Sequence, residues 1–457
     1  MDYYELPLDE ASERRLSMMD LMPMLPTEDR RPPFEASLYR EGGRILRQVQ
    51  GHCCFRTFQR LCLLHQQLGI EVKPQVCGDF PFRHVETPGG DYVGVSFACT
   101  AVLTEKGPPI RERAEWLAAN RPRSVSRRDI RLPLRLGERV PITWEQYLQI
   151  ELDLLNILNI EFQPIENRLI AQGVYLKLLE DFVRQAHAQR LVTPESAPSS
   201  NPSLPAIPPP ARARVSEANT TAEKNPNRGG GANPGTAGNL EGILDPMPLS
   251  NVLLSIFRNQ LGSNDWARLF GLAMKPLEHS LLLRGFLGLL IDFRQSITKR
   301  RGRAATSAFI VSTYARHAVR AGSLLLHPLV RAVPWKVLRK VRMDFSDPFT
   351  SYTARRYFRH ALERKDLLLE ETLRLSHGFL LMHFGLWRYY MSALAALEGS
   401  ERPEREHVLE ALRNVEKYYV FHPVFPILFS RYPTLRGIVE SVMGNPRYAA
   451  TMTRAGL

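Results

Sequence analysis

The chain has 457 residues, is 44% hydrophobic and 23% charged, and carries a formal net charge of +13. That composition excludes an intrinsically disordered chain and leaves room for two or three domains of ordinary size. The five cysteines are an odd number, which argues against a closed disulfide set.

The N-terminus, "MDYYELPLDEASERRL", is acidic and lacks the apolar core of a signal peptide. The most apolar stretch, His279–Phe293, is too short for a transmembrane helix and contains Arg284. These features predict a cytoplasmic protein with no transmembrane segment. In a reducing compartment, clustered cysteines bind metal or do redox work more often than they form disulfides.

All the cysteines, Cys53, Cys54, Cys62, Cys77 and Cys99, lie in one short region. Their spacings match neither the C-x2-C zinc knuckle nor the common ferredoxin patterns. Their confinement still brings several thiols within reach of one soft cation or iron–sulfur cluster. His65, three residues after Cys62, and His52 are further candidate ligands. For any single cysteine the competing reading is a buried reduced thiol. Cys53 is set aside, because adjacent cysteines rarely both reach one centre.

Next comes a hairpin signal. "PGGD" (Pro88–Asp91) is a turn, flanked by "FPFRHVET" and by the alternating, β-branched "DYVGVSFACTAVL". Thr143 and Gln146 have capping-box spacing and open a helix with Leu148, Leu152, Leu155 and Leu158 at helical intervals. Pro164 ends it, and "IENRLIAQGVYLKLLEDFVRQAHAQ" predicts an antiparallel partner. Residues 193–242 are rich in Pro, Gly, Ser, Asn and Ala without hydrophobic period, which predicts a disordered linker. It separates residues 1–192 from residues 243–457.

From Arg294 to Arg342 there are twelve Lys or Arg residues and no Asp or Glu. This segment is expected to form an exposed positive face with an acidic partner, against the competing reading of a solvated helical face. "TARRYFRHALERKDLLLEETLRLSHGFLLMHFGLWRYYMSALAALEG" then carries apolar residues at helical spacing for many turns. His360, His377 and His383 on it are read as ordinary helix histidines, and Trp387–Tyr390 as packing residues rather than an aromatic wall. The expected fold is mainly α, with bundle-like helical domains and a small irregular and β cysteine-bearing element near the N-terminus. No G-x-G-x-x-G, Walker A, H-E-x-x-H or G-x-S-x-G motif occurs. The glycine-rich Gly229–Gly238 lies in the linker, where no strand or helix frames a phosphate site.

The order of features carries more than the spacings do. It runs G-x-C-x-F over Gly51–Phe55, then C-x-x-H, an L-G step, and K-P-x-x-C-x-x-F-P-F, with V-S-F-A-C ending at Cys99. This resembles the distal half of the YkgJ-type cysteine-cluster proteins, a group that includes the flagellin lysine-N-methylases. "TWEQYLQIELDLLNIL", "IENRLI" and "RRYFRHAL" add to the likeness, which covers residues 50–190 and, more loosely, 350–400. The resemblance implies Cys54, Cys62, Cys77 and Cys99 as cluster cysteines, with Phe80 and Pro81 in the F-P turn. It departs from the family in having Thr100 after Cys99 where Pro is usual, and in lacking the C-x-x-C-like group that usually comes first. Either coding sequence upstream of Met1 supplies that group or half the ligand set is gone.

Three functions are expected from these readings. The first is an iron–sulfur or zinc protein with lysine N-methyltransferase activity, using S-adenosylmethionine on a protein substrate that presents a lysine. That chemistry needs the amine neutral, through desolvation or a nearby carboxylate. The second is a non-catalytic, metal-stapled scaffold. The third is a basic polyanion-binding protein.

Overall fold

A computed structural model describes residues 8–25, 31–36, 43–49, 52–59, 61–113, 127–130, 133–192, 303–326 and 331–420, most of 439–454, and single positions including 6, 115, 117, 285, 287, 288 and 291. The linker at 193–242 and the part of the basic segment at 294–302 lie outside the described residues. The fold is mainly α, with small strand pairs.

Residues 8–79 build a small lobe from short pieces. Helix α1 (Glu10–Ser17) packs with β1 (Phe34–Ala36), β2 (Arg44–Leu46), β3 (Gln48–Val49), β4 (His52–Cys53), α2 (Leu63–Leu68) and α3 (Gln75–Asp79). Strands β1 and β2 pair, as do β3 and β4. Asp9 caps α1 by accepting from the Ser12 N–H at 2.8 Å, and the Ser12 hydroxyl in turn accepts from the Gln75 N–H of α3 at 3.2 Å. The lobe has its own buried core of Leu8, Leu16, Leu21, Leu25, Leu46, Cys54, Phe55 and Leu64.

The predicted hairpin is present. β5 (Phe82–Thr87) pairs antiparallel with β6 (Gly90–Val95), and β7 (Arg127–Asp129) adds parallel to β5. After it come α4 (Thr100–Leu103) and the pair β8 (Leu134–Gly137) and β9 (Val140–Ile142). Helix α5 (Trp144–Leu158) starts on the expected capping box. The Thr143 hydroxyl accepts from the Gln146 N–H at 3.2 Å, and the Gln146 side chain accepts from the Thr143 N–H at 2.9 Å. Its inward face is Tyr147, Ile150, Leu154, Ile157 and Leu158; of the expected leucine stripe Leu158 is buried, Leu148 and Leu155 are half-buried against the core, and Leu152 is 50% exposed. Helix α6 (Ile165–Val192) returns along α5. The Tyr175 hydroxyl donates to Asp153 at 2.6 Å and the Gln172 amide donates to the Leu154 carbonyl at 2.8 Å.

Beyond these lie α7 (Arg303–Ala318), the pair β10 (Ser323–Leu326) and β11 (Arg331–Pro334), and α8 (Trp335–Leu338). The long helical stretch expected from the sequence is two helices, α9 (Pro348–Glu363) and α10 (Leu373–Leu397). Between them Lys365 takes φ +66 and a 3-10 turn spans Asp366–Leu368. α11 (Arg405–Val415) runs into a π-helical turn at Glu416–Val420, and α12 (Tyr448–Arg454) packs on α6 and α10. α10 is buried on every side from Ser376 to Ala395, as befits the central helix of a large core. Among the described residues, no helix is long and apolar enough to cross a membrane.

Candidate functional site

Four of the five cysteines meet on the core of the small lobe. Cys54 is buried in it, and Cys53, Cys62 and Cys77 pack against it. Short turns place them there: β4 ends at Cys53, Cys62 precedes α2, and Cys77 sits within α3. The Cys54 sulfur lies 3.9 Å from the Pro33 carbonyl. The sequence reading sets Cys53 aside, but here it packs against the same core as Cys62 and Cys77, beside buried Cys54. On β4 it pairs opposite Gln48 of β3.

The thiols are electrostatically distinct. The hydrogen bond with Cys54, against the cost of burial and with help from the Phe55 N–H and Arg47, holds the Cys53 thiol below its ordinary value. The same bond, together with burial, pushes Cys54 up. Burial, with Cys53 and Cys62 adding like charge, raises Cys77 to about 12. Thiolates that disfavour each other in this way are what a bound soft cation stabilises, by supplying positive charge at their centre. The donor chemistry therefore fits a soft metal. Among the described residues, however, no three Cys, His, Asp or Glu side chains stand in a metal-holding arrangement. His65 is exposed on α2, and the side chain of His52 lies outside the described residues.

Cys99 stands apart from this core, at the N-cap of α4. The hairpin relates it to Cys77. Phe82 pairs with Val95, and the Ser96 N–H donates to the Pro81 carbonyl at 2.9 Å. Cys77 and Cys99 thus lie on the two chain segments that leave the same open end of the hairpin. The Phe80–Pro81 bond there is cis.

That end of the hairpin is fastened to the helices by a buried charge centre that the sequence reading does not foresee. Arg364, at the end of α9, donates from Nε to Asp366 at 3.0 Å, from Nη1 to the Val95 carbonyl at 3.0 Å, and from Nη1 to Glu416 on the π-helical turn. Asp366 also lies 3.7 Å from the Arg83 guanidinium on β5. The Ser96 hydroxyl donates to Glu416 at 3.4 Å. The side chains of Arg364, Asp366 and Glu416 are all within 2% of complete burial. Two cations and two carboxylates balance, which is the condition for holding charge away from water. Burial opposes the Arg364 charge, but Asp366 and Glu416 outweigh it and hold the guanidinium well above its usual value. Burial likewise pushes Asp366 up, and Arg364 with Arg83 brings it below the usual carboxylate range.

Two of the helix histidines, His360 and His383, flank this centre. His360 accepts from the Val95 N–H at 3.0 Å, and burial with the nearby Arg364 lowers it to about 4. Burial lowers His383 to about 4 as well, and neither of its ring nitrogens has a hydrogen-bond partner among the described residues. His377 lies 3.3 Å from the Gln172 amide oxygen, on another side of α10, and burial lowers it to about 3. All three are neutral at neutral pH. Trp387 donates to the Val408 carbonyl at 2.9 Å, and Tyr390 meets the Tyr419 hydroxyl at 3.2 Å, so "WRYY" packs the core. No protein-family model, curated protein or solved structure matches the chain.

Proposed function

We propose that the chain is a metal- or iron–sulfur-binding cysteine-cluster protein whose thiols hold the small lobe together, and that it acts as a lysine N-methylase of the kind its motif order resembles. The observation that supports the metal reading is the meeting of Cys53, Cys54, Cys62 and Cys77 on one small core. Cys99 joins them if the segment after β6 closes toward α3. A core this small gains little from apolar burial alone, and a bound soft cation supplies what it lacks.

In the methyl-transfer reading, S-adenosylmethionine supplies the methyl group. For that transfer the lysine amine of the protein substrate would have to be neutral, with a carboxylate or water to take up its proton. The buried charge centre acts at a distance from this chemistry. It fixes the hairpin from whose open end the Cys77 and Cys99 segments leave.

The test is anaerobic purification followed by iron, sulfide and zinc analysis and a visible spectrum. A brown protein with iron and sulfide supports the enzyme reading, and methyl transfer to protein lysine is then assayed directly. Colourless protein with zinc supports the metal-stapled scaffold. Metal-free protein that gains no metal on reconstitution overturns both. Cys62→Ser and Cys77→Ser are expected to lose the metal and to make residues 8–79 sensitive to protease, with the helical body intact.

A second reading, binding to a polyanion, is favoured by one observation. Arg331, Lys336, Arg339, Lys340 and Arg342 are all exposed along β11, α8 and the turn after it. Replacing Lys336, Arg339, Lys340 and Arg342 with Gln is expected to weaken heparin retention and reduce its salt dependence. Unchanged retention removes this reading.

A further inference from the structure

Lys365 is an unusual residue in two respects. Its backbone is left-handed, at φ +66, where a non-glycine residue is disfavoured. Its side chain is 3% exposed, so a primary ammonium group lies inside the protein. Around that ammonium stands a constructed shell. The nitrogen donates to Glu151 Oε1 at 2.5 Å. It lies 4.0 Å from the ring centre of Tyr92, 5.6 Å from Tyr147 and 5.9 Å from Trp144.

The walls of the shell also hold one another. Trp144 stacks on Tyr147 with ring centres 5.0 Å apart, and Tyr92 meets the edge of Trp144 at 6.1 Å. The Tyr147 hydroxyl donates to Glu151 Oε2 at 2.6 Å, which leaves Oε1 for the ammonium. Tyr92 and Trp144 are partly exposed, whereas Tyr147 and Glu151 form the buried floor. The Tyr92 ring at 4.0 Å, the side of the Trp144–Tyr147 stack and one carboxylate oxygen surround one point and make a receptor for a cation with N–H groups.

We propose that Tyr92, Trp144, Tyr147 and Glu151 form a receptor for a primary ammonium, that Lys365 fills it as a built-in ligand, and that removing this side chain leaves a pocket for an alkylammonium ion from solution. The receptor explains the left-handed turn. Anchoring the Lys365 ammonium holds the backbone that presents Arg364 and Asp366, its two neighbours, to Arg83 and Glu416. The proposal stands whether or not the cysteines hold a metal.

The test uses full-length Lys365→Gly, because glycine accepts the positive φ without strain. This variant is expected to melt below the wild type. n-Butylammonium, which matches the lysine side chain atom for atom, is expected to raise its melting temperature saturably. Tetramethylammonium, which has no N–H for Glu151, and n-butanol, which has no charge, are not. The wild type is expected to show no such response, and Lys365→Gly with Glu151→Gln is expected to lose it. Equal stabilisation by butanol, or none by butylammonium, overturns the proposal. If Lys365→Gly does not fold, the wild type is labelled with 13C at lysine Cε. One lysine signal must then lie upfield of the others through the ring currents, and must rejoin them in Tyr92→Leu. A spectrum with no displaced signal overturns the proposal equally.

Discussion

The small lobe and the helical body solve the same problem with different means. The body surrounds α10 with a core containing Trp335, Trp387, Tyr147, Tyr357 and dozens of aliphatic side chains, and holds Arg364, Asp366, Glu416 and the Lys365–Glu151 pair inside it. The lobe has strands of two or three residues and a core of eight buried side chains, one of them a cysteine. It leaves Met18 at 76% and Phe58 at 94% exposure. Burial stabilises by roughly 1.5–3 kcal/mol per large apolar side chain, so a core of this size barely offsets the entropy of ordering its chain. Structures this small usually carry a metal or covalent staple. The difference teaches where four of the five cysteines belong: they line the core that apolar packing leaves marginal.

The strongest way to break this comparison is at the body's charge centre. Arg364→Met leaves Glu416 buried without its cation and Asp366 with only the more distant Arg83, a loss of about 3–5 kcal/mol. Because the same guanidinium holds the Val95 carbonyl, the hairpin is expected to loosen together with the helices. Urea denaturation followed by tryptophan fluorescence measures it. A loss under about 1 kcal/mol would mean that the centre behaves like a surface ion pair and that the body tolerates charge for other reasons.

Acid sharpens the comparison next. His360 and His383 are lowered to about 4 and His377 to about 3, against an unfolded value near 6.5. Below about pH 6.5 the unfolded chain takes up protons that these buried rings refuse. Stability from the three histidines is therefore complete above that pH and declines as pH falls toward 4, with each contributing on the order of 2–3 kcal/mol. Asp366, held below the usual carboxylate range, loses its contribution only at lower pH still. Since His383 has no partner among the described residues, His383→Phe is expected to keep stability at pH 7 and to flatten the slope between pH 6.5 and 4. A slope identical to that of the wild type would show that His383 is not among the groups that titrate.

These histidines also mark how far the sequence could be read. Their places as interior helix residues follow from the 3.6-residue period. The hairpin follows from Pro88–Asp91, and the start of α5 from Thr143 and Gln146, because turns and caps are local chemistry. The charge centre is not local: Ser96 reaches Glu416 across 320 residues and Arg364 reaches Val95 across 269. In the sequence, Arg83, Arg364 and Asp366 look like surface charges. Apolar periodicity alone also runs α9 and α10 together, because nothing in it reports that Lys365 turns left-handed. For the cysteines, confinement to one region was legible. That Cys53 packs on the same core as Cys54, Cys62 and Cys77 was not.

Gly94 offers a smaller test. A Cβ there would overlap the Cβ and Cγ of Arg364, whose guanidinium is fixed by hydrogen bonds at its far end. A free surface arginine would swing aside, but this one cannot do so without leaving its partners. Gly94→Ala is expected to cost about 1–3 kcal/mol, and combining it with Arg364→Met should add little, since both act on one cluster. Full additivity would place Gly94 outside the charge centre's influence.

The smallest effect separates the two regions most directly. Thr143 and Asp9 are each N-cap residues whose side chains accept from a backbone N–H three residues on. Thr143→Ala and Asp9→Ala should therefore each remove about 1 kcal/mol. Where that loss is felt depends on cooperativity. Thr143 opens a helix built into the large core, so its loss should lower global stability and speed exchange at the most protected amides of α5, α6 and α10 alike. Asp9 belongs to the lobe, and through Ser12 it also ties α1 to the Gln75 N–H of α3. Its loss should speed amide exchange about fivefold across α1, β1–β4 and α3, as expected for a local opening that becomes about 1 kcal/mol easier, with α10 unchanged. If Asp9→Ala instead accelerates exchange in α10 by the same factor, lobe and body unfold as one unit. The thiol-bearing core then draws its stability from the body, and the need for a staple disappears.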